Sequence, residues 1–270
     1  PEDHPWLKPV RFPRGGATIG ESEFFRVAGA EVHEVAVGPV HAGVIEPGHF
    51  RFNCHGERVL HLEIALGFQH RGVEAALCGG PHRRSVHLAE TVAGDTSVGH
   101  ATAYCQLVEG LADAACSERA RSLRVIALEL ERIANHIGDL GALAGDVGFL
   151  PGAAHCGRLR GDALNLTALL CGSRLGRGLV RPGGIGIDCG GGVLTGLRRR
   201  VAEAERGMRH ATDLLWKSSS VRARFEQTGI LTREAAVDLG IVGPPARASG
   251  VDRDARRDFA EPTYGARWPA

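Results

Sequence analysis

The feature that most constrains the fold of this chain is a long amphipathic helix pattern that begins at Ser117. Apolar residues recur at helical spacing from Leu123 to Ile137, and charged residues fill the other face of the helix. Ser117 is a favourable N-cap residue, and Glu118 follows it in the first turn, where a carboxylate suits the helix dipole. The pattern predicts a helix that ends within residues 138–145 and buries one face against other elements.

Strand patterns precede this helix, and further helix patterns surround it. Short alternating segments predict an antiparallel meander with strands at residues 32–37, 40–45, 49–54 and 59–64. Periodic segments predict helices at residues 73–78, 86–91, 101–115, 158–172, 194–217 and 233–239, and Thr232 is placed to cap the last of them. Residues 180–192 and 243–270 are rich in Gly or Pro and predict irregular loops. We therefore expect an α+β fold, with a small antiparallel β-sheet packed on a bundle of long α-helices.

Composition argues against several classes of function. The chain has 270 residues with 32 basic and 31 acidic side chains, so the concentrated basic surface of a nucleic-acid-binding protein is not expected. Its seven cysteines are odd in number and include no Cys-x-x-Cys pair. We expect free thiols, and neither an iron–sulfur cluster nor a zinc ribbon held by this chain alone. No apolar run reaches the roughly 18 residues that a membrane span needs.

Histidines recur in the strand region with a shared parity, so several of them are expected to point the same way. They are His33, His41, His49, His55 and His61. Exposed or hydrogen-bonded side chains explain them more economically than a metal site does. His49 differs because Glu46 lies three residues before it on the same predicted turn. A carboxyl and an imidazole on one turn suit proton transfer, since histidine titrates near neutral pH.

Two other motifs permit a cofactor interpretation. Gly183-Gly-Ile-Gly186 is similar to part of a dinucleotide-binding loop, but Cys189 stands where the third glycine belongs and no βαβ alternation surrounds it. A loop in which backbones approach closely is the better interpretation. His87 and Glu90 lie three residues apart on one helical face, like half of a di-iron site, but the companion helices bearing Glu are not evident.

A polar turn that contains glycine separates two of the predicted helices within residues 89–104. Its middle, from Ala93 to Thr96, has small and polar side chains at a place where a redox protein could hold metal ligands. The function of the chain depends largely on whether this turn binds a metal.

Four segments, in order, resemble the large subunit of membrane-bound group 4 nickel–iron hydrogenases, of the formate hydrogenlyase and hydrogenase-4 type. They also resemble the homologous quinone-site subunit of respiratory complex I, which is the 49-kDa type. The four segments are Gly38-Pro-Val-His-Ala-Gly-Val-Ile-Glu-Pro-Gly-His-Phe-Arg-Phe52, Leu66-Gly-Phe-Gln-His-Arg-Gly-Val-Glu74, Glu129-Leu-Glu-Arg-Ile-Ala-Asn-His-Ile-Gly-Asp-Leu-Gly-Ala-Leu143 and Arg181-Pro-Gly-Gly-Ile-Gly186. Together they are far more specific than any one of them.

The resemblance implies that the polar turn corresponds to a metal-binding loop of the hydrogenases. In hydrogenases of this family the turn has a Cys-x-x-Cys pair that holds nickel and iron, and Ala93 and Thr96 occupy those positions here. Neither side chain supplies the thiolate that such a centre needs. The second Cys pair of the family lies near its C-terminus, and this chain stops without it. We therefore expect no nickel–iron centre, no hydrogen oxidation, and a chain that is incomplete at its C-terminus.

By the same resemblance, a quinone headgroup takes the place of the lost metal. His49 matches a histidine of the quinone site, Asp139 an acid that communicates with it, and Glu46 a glutamate that relays protons in the hydrogenases. Asp95 lies in the turn itself. Complex I has a tyrosine in the loop, where this chain has Thr96 and Ser97, which leaves hydroxyl groups without the ring. These six residues are the candidate catalytic and quinone-binding residues, and no metal ligand is assigned.

The leading hypothesis is therefore a metal-free, hydrogenase-like core subunit of a membrane-associated oxidoreductase complex. The chain would bind no cofactor other than a quinone, and a 4Fe-4S cluster on a partner small subunit would supply electrons. Membrane subunits of a complex I-like assembly would hold it at the cytoplasmic face of the inner membrane. The alternatives are a non-catalytic structural subunit and a His/Glu metal site that replaces nickel and iron. Residues 1–22 are expected to be an arm or linker, and residues 23–270 a single domain.

Overall fold

The computed structural model describes residues 24–39 and 47–258. The chain divides into two compact units, Pro1–Arg71 and Gly72–Ala270. Glu46 and the strand predicted at residues 40–45 lie outside the described residues. That residues 23–270 form a single domain, and that residues 1–22 form an arm, stay predictions.

The first unit contains a three-stranded antiparallel sheet in the order β1-β2-β3. The strands are β1 (Val32–Val37), β2 (His49–His55) and β3 (Arg58–Ala65), close to the predicted bounds. Phe52 at the centre of β2 pairs with Val35 of β1 and Leu62 of β3. The predicted meander is therefore confirmed for the three strands that the structure describes.

The register separates the histidines onto two faces of this sheet. His33 pairs with Cys54, so it shares the apolar face with Phe52. His61 pairs with Asn53, which places it on the opposite face with His49 and His55. Several of the histidines, His49, His55 and His61, therefore share one face as expected, whereas His33 lies on the other face because its strand pairs one residue out of step with their common parity. His41 lies outside the described residues.

The second unit is predominantly helical. Its elements are α1 (Val73–Leu77), α2 (Ser85–Ala89), α3 (Ser97–Ala112), α4 (Glu118–Asp146), α5 (Leu150–Cys171), β4 (Val180–Arg181), β5 (Gly184–Ile185), α6 (Gly191–Lys217), α7 (Ser219–Phe225), α8 (Arg233–Asp238), α9 (Gly243–Ala248) and α10 (Ala255–Asp258). Long helices with small antiparallel sheets confirm the predicted α+β class. Among the described residues, none of the helices combines the length and the apolar character that crossing a lipid bilayer requires.

The core of the second unit lies where α4 packs between α3, α5 and the β4–β5 hairpin. Leu123 and Ala127 of α4 meet Cys105 of α3 and Leu170 of α5. Further along, α4 and α5 approach so closely that a Cβ on Gly141 would lie 2.9 Å from the Cβ of Cys156. Small residues at this crossing let α4 and α5 pack closely against each other.

Several boundaries differ from the prediction, for a local reason at α5 and for a tertiary reason at α9. α5 begins at Leu150, not at residue 158, with a proline in its first turn. The segment predicted as a loop after residue 243 contains α9 and α10. Ala246 of α9 is fully buried against Ala236 of α8, so packing stabilises a helix too short to persist alone.

The two predicted N-caps are confirmed. The hydroxyl of Ser117 accepts a hydrogen bond from the N–H of Ala120 at 3.2 Å, and Thr232 does the same for Ala235 at 3.2 Å. The Gly-rich segment after residue 180 is a tight hairpin and not a nucleotide loop, with Gly183 at φ 83°. A Cβ on Gly186 would lie 2.5 Å from the carbonyl oxygen of Gly178, which confirms that backbones approach closely here.

Candidate functional site

The polar turn that the sequence singled out runs from Glu90 to Thr96, between α2 and α3. It is shorter than predicted because α3 starts at Ser97, so Ser97 is a helical residue. The buried hydroxyl of Ser97 donates a hydrogen bond to the carbonyl of Glu90 at 3.0 Å. The hydroxyl of Thr96 lies 2.9 Å from Nδ1 of His100. Both hydroxyls predicted to bind a quinone are thus engaged in fixing the ends of the turn.

A distant carboxylate holds the start of α3. Glu131 of α4 accepts hydrogen bonds from the N–H groups of Val98 at 2.6 Å and of Gly99 at 2.9 Å. These groups have no partner within the helix, and they lie at the positive end of its dipole. The side chain of Thr96, the N-cap residue, makes no capping bond. Glu131 of α4 therefore caps the start of α3, where the turn ends.

Burial changes the acidity of this carboxyl. Glu131 is 9% exposed, and burial raises its pKa to about 7. The hydrogen bonds from Val98 and Gly99 act in the opposite direction, and the charge of Asp95 raises the pKa further. At neutral pH the Glu131 carboxyl is therefore poised between its charged and neutral forms.

A second buried carboxyl, that of Glu90, lies at the other end of the turn. One oxygen accepts the N–H of Gly178 at 2.6 Å, and the other lies 3.2 Å from Nδ1 of His87. His87 and Glu90 therefore pair with each other instead of converging on a third ligand. Within residues 24–39 and 47–258, no three His, Cys, Asp or Glu side chains are grouped so that they could hold a metal ion.

A small cavity lies beneath the turn, with a volume of about 10 Å³, close to that of one water molecule. Its polar lining comes from the turn, from α4 and α5 and from the loop after α5. The lining residues are Asp95, Glu131, Ala134, Asn135, Leu164, Thr167, Arg174 and Leu175. The hydroxyl of Thr167 is buried, and it has no hydrogen-bond partner among the described residues.

Asp95 forms the outer wall of this cavity. Its carboxylate pairs with Arg160 of α5 at 3.1 Å, and its backbone carbonyl accepts a hydrogen bond from Asn135 at 3.0 Å. The Asp95 side chain is 65% exposed. It therefore links the buried carboxyl of Glu131 to solvent.

Asp139 lies on α4 one turn beyond Asn135, about 6 Å further along the helix axis. It is half-buried and one turn after His136. Burial and the charge of Arg132 lower the pKa of His136, and the charge of Asp139 opposes them. Arg247 and Arg256, near α9 and α10, lower this pKa further. Asp139 thus belongs to a group of charged residues around His136 that includes Arg132, Arg247 and Arg256.

His49 is the first residue of β2, in the Pro1–Arg71 unit. Its Nε2 atom is buried and has no hydrogen-bond partner among the described residues. The ring lies 5.2 Å from that of Phe24, with the two planes tilted by 48°. Glu46, its predicted proton partner, lies outside the described residues.

Glu131 and Arg124 are buried charged residues that sequence patterns did not reveal, because charged residues of the long helix were assigned to its solvent face. The helical periodicity did indicate their burial. At 100° per residue, Arg124 and Glu131 lie beside Ala127 on the same side, at the edge of the apolar stripe. Asn135 and Thr167 had no such signal, because their role depends on which loops meet α4 and α5.

The sequence and the fold of the chain are similar to those of subunits of respiratory complexes and hydrogenases. Residues 146–266 match the family described as the respiratory-chain NADH dehydrogenase 49 Kd subunit. A chain of an archaeal respiratory membrane complex, the membrane-bound sulfane sulfur reductase, shares the fold with a TM-score of 0.78 at 23% identity. The likeness covers 86% of this chain and 62% of that one.

Curated relatives extend over most of the chain. Formate hydrogenlyase subunit 5 of Escherichia coli is 32% identical over 90% of this chain and 43% of its own length. The alpha subunit of the membrane-bound hydrogenase of Pyrococcus furiosus is 29% identical over 83% of this chain and 52% of its own. A subunit of the NADH-quinone oxidoreductase of Clostridium beijerinckii is 28% identical, with 87% and 64% covered.

The chain thus spans about half the length of the curated relatives it matches. The predicted resemblance is nevertheless confirmed on both sides, by hydrogenase subunits and by quinone-reductase subunits. The chain is therefore similar both to 49-kDa-type subunits of complex I and to the large subunits of membrane-bound hydrogenases.

Proposed function

We propose that this chain is a metal-free core subunit of a membrane-associated oxidoreductase complex related to complex I and hydrogenase-4. In that complex it passes electrons from an iron–sulfur cluster on a partner subunit to a quinone or similar acceptor. The observation that carries the proposal is the turn from Glu90 to Thr96. It retains its place between two helices but has Ala93 and Thr96 where a nickel–iron centre needs thiolates.

The neighbouring cysteines do not replace the missing thiolates. Cys105 of α3 and Cys171 of α5 lie in the core behind the turn. Burial raises the pKa of Cys105 to about 11, against the opposing charge of Arg124, and it raises the pKa of Cys171 as well. Burial therefore disfavours the thiolate form of both side chains, which is the form that binds a metal.

Reduction of a quinone consumes two electrons and two protons, so an acceptor site needs groups that deliver protons. Asp95 is exposed and held by Arg160, which suits exchange with solvent. His49 has a buried ring nitrogen available to a headgroup oxygen. Asp139 on α4 and Glu46, which lies outside the described residues, complete the proposed set. In this proposal His49 contacts the acceptor and the three acids supply its protons.

The proposed partners follow from the relatives. Several relatives have names that place them in formate hydrogenlyase, in membrane-bound hydrogenase and in NADH-quinone oxidoreductase. We propose an iron–sulfur small subunit as electron donor and membrane subunits as an anchor at the cytoplasmic face of the inner membrane. The near balance of 32 basic and 31 acidic residues gives no support to a nucleic-acid partner.

A non-catalytic structural subunit is the second candidate. The observation that favours it is the use of both turn hydroxyls within the chain, Ser97 to Glu90 and Thr96 to His100. A hydroxyl bonded in this way is less free to bind a quinone. On this hypothesis the fold and its partner surface are retained and the chemistry is lost.

Replacement of His49 by Ala in the assembled complex separates the two candidates. The proposal predicts that quinone reduction falls at least about tenfold while the complex still assembles. His33→Ala is the matched control, because His33 is an exposed histidine on the opposite face of the same sheet. Unchanged turnover in His49→Ala would favour the structural subunit. Nickel at about one atom per purified chain would contradict both candidates.

A further inference from the structure

Glu131 and the cavity beside it form an arrangement that the proposed function does not yet use. Each oxygen of the Glu131 carboxyl accepts one backbone N–H, which leaves each with capacity for another hydrogen bond. The cavity lies between this carboxyl and the hydroxyl of Thr167, which is 2% exposed and unpartnered among the described residues. Its volume of about 10 Å³ is near the minimum that holds one water molecule.

We propose that this cavity binds one water molecule between Glu131 and Thr167, and that Glu131 exchanges its proton through this water with Asp95. A buried water usually has two to four polar partners. The carboxyl of Glu131, the hydroxyl of Thr167 and the side chain of Asn135 provide them. Asp95 lines the same cavity and reaches solvent, so the path from solvent to the buried carboxyl is short and continuous.

The charges around the cavity support an exchange in both directions. The charged groups that line it with Glu131 are Asp95 from the turn and Arg174 from the loop after α5. Arg160 of α5 acts on the cavity through its ion pair with Asp95. Asp95 raises the pKa of Glu131, and the N–H groups of α3 lower it. Because neither form of Glu131 dominates near pH 7, a proton moves on or off the residue at small free-energy cost.

The proton balance of the step is simple. A proton that enters from solvent on the Asp95 side of the cavity passes to the cavity water, and the water gives one of its protons to the Glu131 carboxylate. Protonation removes the negative charge from the N-terminus of α3, which weakens the cap on the helix that begins at Ser97. The protonation state of Glu131 is thus coupled to the turn that contains Thr96.

The role of this exchange in quinone reduction rests on the proposed function. In that setting Glu131 is a positioning residue and proton reservoir that acts through Asp95 and does not touch the acceptor. Glu131 supplies protons to the turn. Its charge also sets how strongly the start of α3, next to the turn, is capped. Existence of the water and of the exchange does not depend on the acceptor, so the two parts are tested separately.

Infrared difference spectroscopy of the purified chain tests the exchange. From about pH 5 to about pH 9, the wild-type chain should show the band of a protonated carboxyl that disappears with a midpoint near 7. Glu131→Gln should lose this band. The matched control is Glu203→Gln, an exposed glutamate of α6, which should retain it. A titrating band that persists in Glu131→Gln would overturn the assignment, as would the absence of any such band in a folded wild-type chain.

Thr167 provides the test of the water. Thr167→Val keeps the shape of the side chain but removes the hydroxyl, so the water loses a partner and the Glu131 carboxylate becomes less well solvated. The midpoint of the carboxyl band should then rise, whereas Thr167→Ser should keep it near the wild-type value. An unchanged midpoint in a folded Thr167→Val chain would overturn the water-mediated path.

Measurements on the assembled complex separate failure of the inference from failure of the proposed function. Glu131→Gln should lower quinone reduction about tenfold and flatten its pH profile near 7. If the wild-type complex reduces no quinone, the proposed function fails, and the infrared titration still decides the protonation of Glu131. If the complex reduces quinone and Glu131→Gln keeps both the wild-type rate and the wild-type pH profile, the inferred role is overturned and the proposed function stands.

Discussion

Two buried glutamates on neighbouring helices have the same exposure and opposite acidity. Glu109 of α3 and Glu131 of α4 are each 9% exposed. Burial alone would raise the pKa of both. The pKa of Glu109 is nevertheless lowered, because hydrogen bonds from Arg124 and from the N–H of Gly183, together with the charge of Arg124, outweigh burial. Glu131 has only backbone N–H groups as donors, and its pKa rises to about 7.

The difference shows what a buried charge needs. Arg124 is 2% exposed and binds both oxygens of Glu109, at 3.0 and 2.6 Å. It also donates to the backbone carbonyls of Arg181 and Gly184, so the pair fastens the β4–β5 hairpin to α3 and α4. A full cation keeps Glu109 ionised and structural. Partial charges at a helix end leave Glu131 free to titrate, which suits exchange of a proton.

Removal of Arg124 should have the largest effect on this comparison. Arg124→Ala leaves Glu109 buried without its cation and leaves two hairpin carbonyls without a donor. The free energy of unfolding should fall by about 3–5 kcal/mol. Urea denaturation followed by helical circular dichroism measures the change.

The control for this prediction is Arg209→Ala on α6. Arg209 pairs with Glu205 at 2.7 Å, but both side chains are largely exposed. Its loss should change the free energy of unfolding by less than about 1 kcal/mol. Equal effects of the two substitutions would show that burial of the Arg124 pair has no special weight.

The dependence of stability on pH should reverse sign between the two glutamates. The pKa of Glu131 rises from 4.5 in the unfolded chain to about 7 in the folded one. Its contribution to stability is therefore fully present below pH 4.5, and it falls as pH rises through 7. The total loss is about 3–4 kcal/mol, since one pKa unit corresponds to about 1.4 kcal/mol. Denaturation midpoints measured across this range should lose that slope in Glu131→Gln.

Glu109 should make the free energy of unfolding depend on pH in the opposite direction, in the acid range. Its folded pKa lies below 4.5, so its contribution is present above pH 4.5 and is lost as pH falls through the folded pKa. Glu131→Gln should leave this acid limb intact. A steeper acid limb in Glu131→Gln would show that the two carboxyls are not independent. An unchanged slope near pH 7 would show that Glu131 is not the source of that slope.

The smallest expected effect concerns the way the two helices begin. The hydroxyl of Ser117 caps α4, whereas the carboxyl of Glu131 caps α3. Ser117→Ala should lower the free energy of unfolding by about 1 kcal/mol. Because a hydroxyl does not titrate, the loss should be the same at pH 5 and at pH 8, in contrast to Glu131→Gln. Urea denaturation at the two pH values measures both substitutions.

The difference between local and distant caps also explains which parts of the fold were predictable. Ser117 and Thr232 cap groups three residues away, so the start of α4 and of α8 could be recognised from a few neighbouring residues. Glu131 caps groups 33 and 32 residues before it, and the periodic pattern accordingly places the start of α3 four residues too late. The three strands of the meander that the structure describes were placed correctly because alternation is a local property.

The sequence by itself determined the resemblance to complex I and hydrogenase subunits, the amphipathic pattern of α4 and the absence of thiolates at Ala93 and Thr96. These depend on residue identity and on short-range periodicity. Only the tertiary structure decided that Glu131 and Arg124 are buried, that one glutamate has a cation and the other has a cavity, and that Thr167 and Asp95 share that cavity. The physical reason is that solvation, hydrogen bonding and charge are set by residues far apart in the chain, and these meet only when α3, α4 and α5 pack.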